Sequence, residues 1–111
     1  MKDEALQAKW QDYLFLTEEM KKFLQKNDID MFLSLLDQRE AIQKEIQTAK
    51  EDHPFYASPE GRALLCNIQQ ANHAMMMAFQ MVFNGLRKRE NISNAYEGMV
   101  SFTGTFLNRN T

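Results

Sequence analysis

Two histidines, one cysteine and a short basic run are the residues best suited to chemistry, and their spacing decides what they can do. His53 and His73 fall in different elements. Neither has a carboxylate or cysteine three or four positions ahead, so no helical metal pair forms. Cys66 and His73 are two helical turns apart, too far for one ion. Cys66 has no base placed to activate it and reads as a buried structural thiol. Neither a Gly-rich phosphate loop nor a Ser-centred turn is present. The basic run Arg87-Lys88-Arg89 suits a helix C-terminus, where cations complement the macrodipole. Nucleic-acid binding would need a broader basic stripe with interleaved aromatics. The expectation is therefore a binding module with no enzymatic activity, no metal, no cofactor and no nucleic-acid partner.

The elements that position these residues are helical. One domain is expected from 111 residues, and four Gly and two Pro are too few for a β-rich fold. A lone cysteine excludes an internal disulfide framework, and no charged start leads into an apolar signal region, so a cytoplasmic setting is expected.

The first helix is expected over about residues 3–26. Leu6, Trp10, Tyr13, Thr17, Met20 and Leu24 alternate steps of four and three, which keeps one seam facing a partner. Asn27-Asp28 interrupts, and either residue can cap a second helix over about 28–50. Phe32, Leu35, Leu36, Ile42, Ile46 and Ala49 form its stripe; Arg39 lies on or beside that stripe, where leucine would be simpler. Residues 51–57 read as a loop around Pro54, with Phe55 and Tyr56 tucked against the bundle end. Ser58-Pro59-Glu60 is a helix start, with a capping hydroxyl, proline at the first helical position and acid in the first turn. The third helix is expected over about 58–96, with the seam Leu65, Ile68, Asn72, Met75, Phe79, Val82 and Leu86. The fold class is all-α: a three-helix antiparallel bundle over 1–97, with a long third helix and an apolar C-terminal tail over 98–111. Phe102, Phe106 and Leu107 make that tail too apolar to be freely solvated, so it is expected to dock.

Charge is distributed unevenly. Residues 1–60 hold thirteen acidic and eight basic groups, whereas Ala63 to Leu86 holds none of either. Asn and Gln interrupt this stretch too often for a membrane span. Its seam accounts for one side, and Met75 and Met76 read as core fillers. The opposite side carries Asn67, Gln70, Ala74, Met77, Met81 and Asn84, with the two methionines one turn apart. Methionine re-packs easily against varied apolar partners. Met76, Met77, Gln80, Met81, Phe83 and Asn84 are the candidate partner-binding residues. A second copy of the chain, covering the same face in a homodimeric scaffold, is the alternative occupant.

Two family resemblances bear on function. Residues 35–50, LLDQREAIQKEIQTAK, resemble the first long helix of the all-helical chorismate mutases. There an Arg and a Lys eleven residues apart hold substrate carboxylates, matched here by Arg39 and Lys50, with Arg62 as a further Arg. The family's Glu after that Arg is Ala63 here, and its long helix is interrupted here by Asn27-Asp28. The second resemblance spans nearly the whole chain. YLFLTEEMKKFLQKNDIDMFLSLLDQREAIQKEI (13–46), SPEGRALLCNI (58–68) and NISNAYEG (91–98) resemble the flagellar export chaperones of the FliT/FlgN type, the FliT-like side being favoured. The resemblance implies a cytoplasmic chaperone of type III export that binds the C-terminal helices of a filament-cap or hook-filament-junction protein. It further implies client binding along the third helix, docking to an export-gate component through Tyr96, and a regulatory tail in which Phe102, Phe106 and Leu107 act as apolar plugs.

Overall fold

A computed structural model of the chain describes residues 3–50 and 52–83. The described residues are all-helical: α1 (Asp3–Gln25), α2 (Ile29–Ile46), α3 (Pro54–Ala57) and α4 (Pro59–Phe83). The expected tail over 98–111, together with Leu86 and the continuation of the third helix to residue 96, lies outside them.

Local chemistry sets each boundary. Asn27 ends α1 in the left-handed region at φ 59°, a conformation asparagine tolerates better than most residues. Its N–H donates to the Leu24 carbonyl at 3.0 Å, and the Asp28 N–H donates to that of Phe23 at 2.9 Å. This pair of bonds is a Schellman closure. Asp28 then caps α2 by accepting from the Met31 N–H at 3.1 Å. Only Lys26, Asn27 and Asp28 separate the two helices, because Asp28 serves both.

The expected loop around Pro54 is instead one helical turn, α3. His53 caps it through Nδ1, which accepts from the Phe55 N–H at 3.1 Å, and Pro54 supplies the preset φ of a first helical position. Ser58 joins α3 to α4: its Oγ donates to the Phe55 carbonyl at 2.7 Å and accepts from the Gly61 N–H at 3.0 Å. The capping expected of Ser58-Pro59 is thus present. Phe55 is buried as expected, and Tyr56 is half-buried beside Trp10, whose Nε1 donates to the Tyr56 hydroxyl at 3.2 Å.

α1 packs against both α2 and α4. Every residue of its expected seam is buried. Two apolar clusters result. Leu6, Trp10, Tyr13, Ile46, Phe55, Leu65 and Ile68 belong to one. Leu16, Met20, Leu24, Phe32, Leu36, Met75, Phe79 and Phe83 belong to the other. Residue numbers rise together along α1 and α4 and fall along α2 through these clusters, so α2 runs against the other two. Burying each large apolar side chain is worth roughly 1.5–3 kcal/mol. Between the clusters sits a layer that is not apolar.

Candidate functional site

That layer consists of Thr17, Arg39 and Asn72, each on a different long helix and each at most 5% exposed. Arg39 Nη1 donates to Thr17 Oγ1 at 2.9 Å and to Asn72 Oδ1 at 3.0 Å. The Thr17 hydroxyl in turn donates to the Tyr13 carbonyl at 2.8 Å. The guanidinium lies over the Tyr13 ring, 4.6 Å from its centroid, which attracts a cation through the ring quadrupole. Arg39 Nε has no hydrogen-bond partner among the described residues, and neither ion pair among them, Lys9–Glu45 or Lys22–Glu19, includes Arg39. The cation is held by neutral acceptors alone, and burial lowers its pKa from the ordinary value.

Burial also pushes the Tyr13 hydroxyl up to about 12, against a smaller opposing pull from Arg39. Because the folded value exceeds the unfolded value of 10, folding favours the neutral phenol. This contribution is fully present below pH 10 and is lost as the pH rises toward 12. The expected loss is about 1 kcal/mol by pH 11. Urea titrations at pH 8 and pH 11 on the wild type and Tyr13→Phe will check it: the alkaline loss should be smaller in the variant by that amount.

Arg39 at 1% exposure has no surface to offer a dissolved dicarboxylate, while Lys50 and Arg62 are exposed. The spacing that links these three residues to the chorismate mutases is present in sequence, but Arg39 is spent inside the bundle. Cys66 is exposed, not buried as expected: it lies off the α4 seam, one residue past Leu65, and Gln70 Nε2 approaches its sulfur at 3.8 Å. No group of three or more His, Cys, Asp or Glu able to hold a metal occurs among the described residues.

The candidate partner-binding residues separate by depth. Met81 is 81% exposed and Met77 50%, and Gln80 is also exposed. Met76 is half-buried and packs against the second apolar cluster. Phe83 is a correction. It is 4% exposed, with its ring 4.5 Å from Phe79 and 6.2 Å from Phe32, because it continues the steps of four from Met75 and Phe79. Asn84, Tyr96, Phe102, Phe106 and Leu107 lie outside the described residues.

The sequence reading missed Phe15, which is 60% exposed on α1. The signal was available. Phe15 falls two positions after Tyr13, which turns it to the far side of the helix from the seam. No helix among the described residues is long and apolar enough to cross a membrane. Comparison with protein-family models, curated proteins and solved structures finds no match to this chain.

Proposed function

We propose that this chain is a cytoplasmic chaperone of flagellar type III export. In this reading it is a three-helix antiparallel bundle with a long third helix, α4, and an apolar C-terminal tail. It holds the C-terminal helical segment of a filament-cap or hook-filament-junction protein and hands it to an export-gate component, with Tyr96 as the docking residue. One observation carries the reading: α4 has no charged residue from Ala63 to Phe83, yet leaves Met77 and Met81 exposed on its outer face. A helix-binding chaperone needs such a surface, adaptable and free of charges that would have to be desolvated.

Fluorescence anisotropy with labelled C-terminal peptides of a cap protein and a junction protein tests this. One of them should bind the full chain, and Met77→Ser with Met81→Ser should weaken it by about tenfold or more, since two apolar side chains lose their burial. Deleting residues 98–111 should strengthen binding if the tail competes for the same face. Failure of both peptides to bind either form ends the client assignment. A stable dimer in light scattering that dissociates on the double substitution would favour the homodimeric scaffold.

A further inference from the structure

The Thr17–Arg39–Asn72 layer has a property that the apolar clusters on either side of it lack: its contacts are directional. α2 and α4 each pack along α1 and only sparsely along each other. The three-residue turn with its Asp28 cap holds α2 against α1, and the Lys9–Glu45 ion pair at 2.6 Å joins the same two helices. α4 has no comparable tie. It carries no charged residue from Ala63 to Phe83, so over that length it forms no ion pair with α1 or α2. The other ion pair among the described residues, Lys22–Glu19, lies within α1. α3 moves with α4, because Ser58 bonds to both.

Apolar packing alone does not hold such a helix at one level. The buried apolar face of α4 is Leu65, Ile68, Met75, Phe79 and Phe83. Sliding α4 by one turn, about 5.4 Å, brings one apolar side chain to the place of another. Methionine adapts to the exchange readily. Asn72 is the exception on this face. Its Oδ1 accepts from Arg39 Nη1 at 3.0 Å, while the same nitrogen donates to Thr17 at 2.9 Å. The next residues of the buried face in either direction are Ile68 and Met75, and neither carries a side-chain oxygen. Arg39 Nε already has no hydrogen-bond partner among the described residues. A displaced α4 would take away the amide as well, and a buried cation stripped of acceptors is strongly disfavoured.

We propose that this layer is a register pin: Arg39 selects one axial position of α4 on the α1–α2 hairpin by recognising Asn72. The layer adds little net stability and excludes the neighbouring positions. Register also decides the outer surface, because a slide of four residues turns a helix by about 40° and re-aims Met77 and Met81. The pin is independent of any client.

Double electron–electron resonance on the full chain reads the position of α4 directly. Nitroxides are placed at Glu4→Cys and Met81→Cys, both exposed, in a Cys66→Ser background. With residue 17 level with residue 72, these sites lie roughly 33 Å apart along the bundle axis, and the otherwise unaltered chain should show one distance. The exchange variant, Ile68→Asn with Asn72→Ile, keeps the composition and moves the amide one turn toward the start of α4. Its distance should lengthen by about 6 Å as α4 slides to bring the amide back to Arg39. The triple variant Thr17→Val, Arg39→Met, Asn72→Leu has no pin and should show at least two distances while remaining folded. Met75→Ala, which removes apolar packing only, should lower stability and keep the single distance. An unchanged distance in the folded exchange variant overturns the proposal, and so does a single distance in the triple variant. If the exchange variant does not fold, the triple variant decides; if the triple variant does not fold, the layer serves stability and the pin is overturned.

Discussion

Arg39→Ala is expected to destabilise the protein by about 3–5 kcal/mol, enough to unfold a domain of ordinary stability or nearly so. Three effects act together. The substitution removes both bonds from Nη1, leaving Asn72 Oδ1 buried without its donor and Thr17 Oγ1 without the cation it accepts from. It opens a cavity the size of a long side chain at a point 1% exposed, where neighbours on three helices relax only in part. It also strips the face of Tyr13, against which the guanidinium lies. Arg39→Lys should recover only part of the loss, because a compact ammonium can replace the two bonds from Nη1 but not the planar guanidinium that covers the Tyr13 ring.

The informative comparison is the triple variant Thr17→Val, Arg39→Met, Asn72→Leu. It removes the whole polar layer and keeps its volume, so no buried group is left unpaired. A buried cation held only by neutral acceptors offsets little of its desolvation. The triple variant should therefore match or exceed wild-type stability. Urea denaturation followed by the fluorescence of Trp10, the single tryptophan and fully buried, reads both outcomes. A loss below about 1 kcal/mol for Arg39→Ala would mean the layer is not coupled to folding as its geometry implies.

Gly61→Ala should cost about 2–3 kcal/mol, against the usual direction. In the interior of an exposed helix the change from glycine to alanine gains about 1 kcal/mol, because glycine loses more backbone freedom on folding. Here a Cβ would overlap the backbone carbonyl oxygen of Phe55 and lie 2.9 Å from its carbonyl carbon and 3.0 Å from Ser58 Oγ. The obstacle is backbone, so it cannot swing aside like a side chain. Opening the α3–α4 junction to make room would break the Ser58 bonds that cap α4 and end α3, and would lift Phe55 out of the first apolar cluster. A parallel substitution, Ala63→Gly, separates the two effects. Ala63 is exposed one turn into the same helix, and replacing it with glycine should cost only the ordinary propensity of about 1 kcal/mol. Thermal melts of the two variants should rank Gly61→Ala as the more damaging.

Much of the fold was legible because its signals are local. Steps of four and three along α1 name a buried face without reference to any neighbour, and all six seam residues are buried. Asp28 and Ser58 were readable as caps because a short side chain satisfying an N–H three positions ahead is a matter of a few residues. The turn at Pro54–Ala57 was read as a loop because four residues carry too little periodicity to declare a helix. Of the exposed apolar residues, those on α4 were the legible ones. Met77 and Met81 stood out within an uncharged stretch; Phe15, among charged neighbours on α1, did not. Phe83 was misplaced because its aromatic side chain suits a partner surface and a core equally, and its step of four from Phe79 was the better guide.

By itself, then, the sequence determined the inward seam of α1 and the caps at Asp28 and Ser58, but not the end of α2, expected near residue 50 and found at Ile46, nor the turn α3. Those properties depend on spacing and on hydrogen bonds within a few residues. Only the tertiary structure decided what meets what: that Thr17, Arg39 and Asn72 share one level, and that Phe55 closes over Gly61. A helix's own periodicity fixes a face but not the axial offset or rotation of its neighbours, and those are set jointly by how the side chains of three helices pack.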